Sequence, residues 1–103
     1  MALYNPAAVT VSESTSGTST PTTVASTVSS TTILAANSNR KGATFWNDST
    51  ATLYLEIGAS ASTSAFTAKL FPQGYYELPF HCIGVISGIW SAVNGNCLVR
   101  ELT

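Results

Sequence analysis

Residues 40–58 read RKGATFWNDSTATLYLEIG, and the second half of this stretch carries the clearest period-two signal in the chain. Leu53, Leu55 and Ile57 alternate with Tyr54 and Glu56, so three aliphatic side chains share one face of an extended segment and the carboxylate takes the other. That is the pattern of a half-buried β-strand. Before it, Thr44-Phe45-Trp46 is a β-branched and aromatic run, and Asn47-Asp48-Ser49-Thr50 supplies side chains that bond their own backbone and accept turn geometry. The stretch predicts two strands joined as a central hairpin through a short connection.

Working outward, the same alternation of strand and turn recurs. Upstream, Thr22–Val28 and Thr31–Ala36 are β-branched, and Asn37-Ser38-Asn39 is a turn. Downstream, Phe66, Ala68 and Leu70 share a face. Pro72-Gln73-Gly74 predicts a turn with proline preset in φ and glycine free to take positive φ. Tyr75–Leu78 leaves that turn as a strand, which Pro79 stops or confines to an edge. Cys82–Trp90 is the most apolar run; Gly84 and Gly88 within it argue for a strand with a bulge or a close backbone approach rather than a helix. Asn94-Gly95-Asn96 then turns the chain into a last strand, Cys97–Leu102.

About seven or eight short strands at this spacing, with no helical periodicity, predict an all-β domain: a single antiparallel β-sandwich or jelly-roll-like barrel spanning 21–103. Residues 1–20 lack core periodicity and are expected to form an extended N-terminal arm. Ser12–Thr20 is Ser/Thr-rich, and Leu3, Tyr4, Pro6, Val9 and Val11 gain burial only against a partner. The arm is either a disordered tail or a segment that orders on a neighbouring subunit.

Composition narrows the function. The chain has 103 residues, 45% of them hydrophobic but only 9% charged, against an average of about 25% charged. A domain of this size buries only about two thirds of its unfolded surface, so its own core is modest. Surfaces filled by Ser, Thr, Asn and Ala dock on protein with few charges to desolvate. Arg40, Lys41, Lys69 and Arg100 are the only cations, too few to neutralise a run of phosphates, so nucleic acid is not an expected partner. There is no signal-peptide pattern and no apolar run of membrane-spanning length, so synthesis in the cytoplasm is expected, with no membrane partner.

No chemistry stands out. His81 beside Cys82 is the only adjacent nucleophile–base pair, but neighbours on a strand point to opposite faces and there is no second histidine. Cys82 and Cys97 have no metal-ligand spacing and are expected as free, buried thiols. Glu56 and Glu77 invite comparison with a glycosidase carboxylate pair, yet each alternates with core residues as solvent-facing carboxylates do. The expectation is therefore no enzyme, no catalytic residues, no metal, no cofactor and no small-molecule substrate. Trp46, Trp90, Tyr54, Tyr75 and Tyr76 are aromatics enough for a sugar platform, although dense strand pattern favours core or interface anchors for four of the five.

Several segments together resemble small tailed-bacteriophage virion structural proteins: Leu34–Asn37, Arg40–Ala43, Asn47–Leu55, Gly74–Pro79, Gly88–Ala92 and Val99–Leu102. The resemblance covers about two thirds of the chain and implies a virion component of β-sandwich type. The resemblance does not place the component on capsid, neck or fibre; small size, sparse charge, the arm and abundant Thr and Ser make the expected role a capsid decoration or cement protein on the outside of the head. It would bind the major capsid protein or other virion proteins, as a homo-trimer or dimer. Two alternatives remain: a glycan-binding host-recognition or fibre-associated β module, and a head-completion or neck protein.

Overall fold

The computed structural model describes residues 15–103; the expected arm anchors Leu3, Tyr4, Pro6, Val9 and Val11 lie outside them. Eight strands follow in order: β1 (Ser19–Ala25), β2 (Thr31–Leu34), β3 (Gly42–Asp48), β4 (Leu53–Ile57), β5 (Ala68–Leu70), β6 (Tyr75–Glu77), β7 (Ile86–Trp90) and β8 (Asn96–Leu102). No helix occurs among the described residues. Ser19 and Thr20 already belong to β1, so the sandwich begins slightly before Pro21.

The strands form two four-stranded antiparallel sheets, ordered β1-β8-β3-β6 and β2-β7-β4-β5. This is the strand order of an eight-stranded jelly roll. Its consequence corrects the central hairpin: β3 and β4 lie in different sheets, so residues 40–58 form an arch across the sandwich. β7 and β8 are likewise split between the sheets, and β4–β5 is the only pair of sequence neighbours that are also sheet neighbours. Turn residues mark where a chain reverses but not whether its two arms pair.

The period-two reading of the faces holds on β4 but fails for Phe66: β5 begins only at Ala68, and the exposed Phe66 packs on Tyr54 on the outer face instead of sharing a face with the buried Leu70. Leu53 and Leu55 are buried, and Phe45, Val99, Cys97, Leu70, Ile86 and Trp90 meet them from both sheets. A register shift between Thr32 and Leu34 lets Ile33 and Leu34 both be buried although adjacent, as an extra residue in one strand allows. The expected strand at Cys82 starts later, at Ile86. Gly88 is a packing position: a Cβ there would lie 3.0 Å from Ile33 and 3.1 Å from Leu53 side chains, so a side chain closes over it from each neighbouring strand. Gly84 has open space around it. At the Pro72-Gln73-Gly74 turn the positive φ falls on Gln73, not the glycine. Gly95 has φ +64°, and a Cβ there would lie 2.2 Å from the Asp48 carbonyl oxygen, so only glycine fits.

β1 is an edge strand. Ser26 N–H donates to Gly95 O and Thr103 N–H to Thr18 O, which turns the even-numbered residues of β1 toward β8 and the odd-numbered ones toward the open edge. Pro21 thus removes a donor from the outward row, a guard against edge-to-edge pairing.

Among the described residues, one charged side chain sits fully inside. Arg40 is 0% exposed; its Nε donates to Glu101 Oε2 at 2.7 Å, Nη1 to Cys82 O at 3.1 Å and Gly84 O at 2.8 Å, and Nη2 to Ala35 O. Asn37 Nδ2 adds a bond to Glu101 Oε1 at 3.3 Å. Removing one partner of a buried, paired charge costs about 3–5 kcal/mol because the other is left uncompensated. Arg40→Ala should therefore consume most of the stability of so small a domain. Arg40→Lys should restore little, because an ammonium cannot reproduce the planar fork; urea-unfolding midpoints of the two variants check both statements.

Candidate functional site

The residues singled out for chemistry do not converge. His81 is exposed and Cys82 half-buried in the loop before β7, while Cys97 is buried on β8. Both thiols are free; of the two, only Cys97 is as buried as expected. No group of three or more metal-type ligands occurs among the described residues. Glu56 on β4 and Glu77 on β6 belong to different sheets, each alternating with core residues. They face outward from opposite sides of the sandwich and cannot share a substrate. Glu56 instead accepts from the Thr67 hydroxyl, and Glu77 from Tyr75 Oη at 3.3 Å.

The five aromatics divide by face. Trp90 is 1% exposed in the core, where its Nε1 is a buried donor without a partner among the described residues. Tyr76 packs inward against Phe45, ring centroids 6.2 Å apart. Tyr54 lies on the outer face of the second sheet, edge-on to Phe66 at 5.0 Å, with the Lys69 ammonium 5.7 Å from its ring.

Trp46 and Tyr75 are the two that come together in the open. Alternation along β3, β6 and β8 buries Phe45, Asn47, Cys97 and Val99 and turns Trp46, Tyr75, Leu98 and Arg100 outward. Cross-strand register then makes two rows on the outer face: Thr23–Leu98–Trp46–Tyr75, and beside it Pro21–Arg100–Thr44–Glu77. All of these residues except Glu77 line a surface groove of about 510 Å³. Its aromatics are held by polar partners: Trp46 Nε1 donates to Gln73 Oε1 at 3.2 Å, and Tyr75 Oη to Glu77. Partial desolvation, then the Glu77 charge, pushes the Tyr75 phenol above its ordinary value, so the hydroxyl stays protonated at neutral pH. Sequence reasoning had Trp46 and Tyr75 among its aromatics but had no signal for the pairing of β3 with β6 that joins them.

A second surface is made of loops. Strand directions gather Ser26–Ser30, Ser49–Thr52, Phe71–Gly74 and Ser91–Gly95 at one end of the sandwich. These loops are tied together: Asn94 N–H donates to Ser26 Oγ at 2.7 Å, Thr50 N–H to Asn94 Oδ1 at 2.8 Å and Trp90 N–H to Thr27 O at 2.9 Å. Beneath them the buried Asn47 Nδ2 donates to Ala51, Leu70 and Phe71 carbonyls at 2.8–3.2 Å, and its Oδ1 accepts from Ser49 Oγ at 2.6 Å. The four loops contain no charged residue, yet expose Val28 (55%), Phe71 (62%) and Val93 (71%).

No family model matches the chain, and neither a curated protein nor a solved structure matches it.

Burial pushes the Cys97 thiol from 9.0 up to about 12. A raised folded-state value means stability that is present below pH 9 and lost as pH climbs toward 12. At mildly alkaline pH a thiol reagent should label Cys82 rapidly and Cys97 only as fast as the domain opens, which mass spectrometry of timed samples reads directly. Replacing Cys97 by Ala should flatten the alkaline fall in the unfolding midpoint.

Proposed function

We propose that this chain is a non-enzymatic virion structural protein, a capsid decoration or cement protein that grips the head through protein–protein contacts. The observation that carries the reading is the loop end: exposed aliphatic and aromatic side chains on a hydrogen-bonded platform whose four loops contain no charged residue, with Asp48 at the end of β3 and the Lys69 ammonium, 5.3 Å from the Phe71 ring, only at its rim. That is the composition of the buried centre of a protein interface, where charged residues are depleted. The platform is already tied by its own hydrogen bonds, so docking orders few groups and loses little entropy. The partner in this reading is the major capsid protein. The resemblance of segments within Leu34–Leu102 to phage virion proteins supports the assignment, and the jelly roll is an architecture that viral capsid proteins use, although a fold alone does not decide a function.

The physical role is stabilisation by mass action. A subunit that binds assembled lattice but not its dissociated parts raises lattice stability by about 2.7 kcal/mol per site at a hundredfold excess over Kd. Heads lacking the protein should therefore release DNA at a lower temperature than decorated heads; equal release temperatures would remove the proposal.

The surface assignment is tested separately. Val28→Asp and Val93→Asp each place a charge on the apolar end without touching the core. Both variants should melt with the wild type while their retention on purified heads falls at least tenfold. Deletion of residues 1–14 tests the arm: the shortened chain should keep its β-type circular dichroism and bind heads more weakly, and unchanged retention would leave docking to the loop end alone.

A further inference from the structure

The groove on the outer face of the β1-β8-β3-β6 sheet is distinct from the loop end and has a different chemistry. The loop end is built of loops without charged residues; the groove is concave, aromatic on one side and polar on the other. Its volume of about 510 Å³ falls within the roughly 300–1,000 Å³ of small-ligand sites, whereas a stable protein partner needs about 800 Å² from each side.

We propose that this groove is a saccharide-binding subsite in which a pyranose ring lies against Trp46 and Tyr75. A sugar ring offers a C–H face that packs on an aromatic surface and a rim of hydroxyls that must be met by hydrogen bonds. The groove presents both halves in register. Trp46 stands opposite Tyr75 on one side and opposite Leu98 on the other, giving a continuous apolar floor. One row away, Arg100 stands opposite Thr44 on β3 and Pro21 on β1, and Thr23 ends the aromatic row beyond Leu98. The guanidinium fork donates to paired oxygens, and the threonine hydroxyls both donate and accept. Arg100 makes no ion pair among the described residues, so its donors are free for a ligand. The Gln73 and Glu77 contacts hold Trp46 and Tyr75 in place before any ligand arrives, which lowers the entropy lost on binding.

The test uses the full chain on a printed glycan array spanning hexose, N-acetylhexosamine and uronate repeats, followed by titration of each retained glycan against intrinsic tryptophan fluorescence. Trp90 is buried and Trp46 exposed, so a saturable emission change reports the groove. Expected is retention of at least one glycan class. Trp46→Ala and Tyr75→Ala should each weaken it at least tenfold at unchanged melting temperature, and Trp46→Phe should recover part of the loss. Arg100→Gln should weaken a uronate ligand more than an uncharged one. Val28→Asp should bind glycan as the wild type does, which separates this result from the capsid proposal. Retention of no glycan class, or glycan binding indifferent to Trp46→Ala, overturns the inference. So does loss of head retention by Trp46→Ala without glycan binding, an outcome that makes the groove a protein contact.

Discussion

The Arg40–Glu101 ion pair is the constraint on which one end of this fold depends. In a jelly roll the chain keeps crossing from sheet to sheet, so local hairpins cannot hold the layers in register. The crossing segments must be tied by something else. The Arg40 guanidinium does this by joining the end of β2 through Ala35, the approach to β7 through Cys82 and Gly84, and β8 through Glu101. Carbonyls of irregular backbone, which would otherwise be buried without partners, are thereby satisfied. A buried ion pair is not in itself a source of net stability. Its effect here is specificity: the donor fork fits one arrangement of three chain segments.

Asn47 performs the neutral counterpart at the opposite end. Its amide collects carbonyls from the β3–β4 arch and from the end of β5, while its backbone N–H donates to Gly74 O and its carbonyl accepts from Gln73 N–H. The apolar layer between the two hubs is small. Polar ties at both ends therefore fix one arrangement of crossing segments that so small a core would specify less sharply. They also leave the loops above Asn47 without charge while keeping them ordered.

Much of the layer structure was legible in the sequence because alternation is a local property. Leu53, Leu55 and Ile57 share a face whatever strand lies beside them, and the strand count follows from the turn residues. Pairing is not local. Asn47-Asp48-Ser49-Thr50 and Asn94-Gly95 have the chemistry of hairpin turns, yet both bridge the sheets, since the side chains that stabilise a tight reversal are the same in either case. Arg40 shows a further limit: as one of four cations in a polar segment it carries no sign of burial, because burial depends on Glu101, sixty-one residues away. The groove was illegible for the same reason, its rows being assembled from β1, β8, β3 and β6.

Jelly-roll geometry also separates the two surfaces. In the β1-β8-β3-β6 sheet β1 and β3 run toward the loop end and β6 and β8 away from it, so its outer face lies along the side of the domain and the loops cap it. Trp46 and Tyr75 are turned out from that side, whereas Val28, Phe71 and Val93 project from the cap. A subunit seated on a lattice by its neutral cap would still present the groove to solvent. In these proposals attachment would draw on the apolar loop end and recognition on two aromatic rings and a guanidinium without an ion pair among the described residues, the two surfaces meeting at Gln73, a loop-end residue whose side chain accepts from Trp46. This arrangement accounts for the sparse charge of the chain as a whole. Of its four cations, Arg40 is consumed inside the fold, Lys69 lies over the Tyr54 and Phe71 rings on the other sheet, Lys41 stands at the end opposite the cap, and Arg100 alone is placed in the groove.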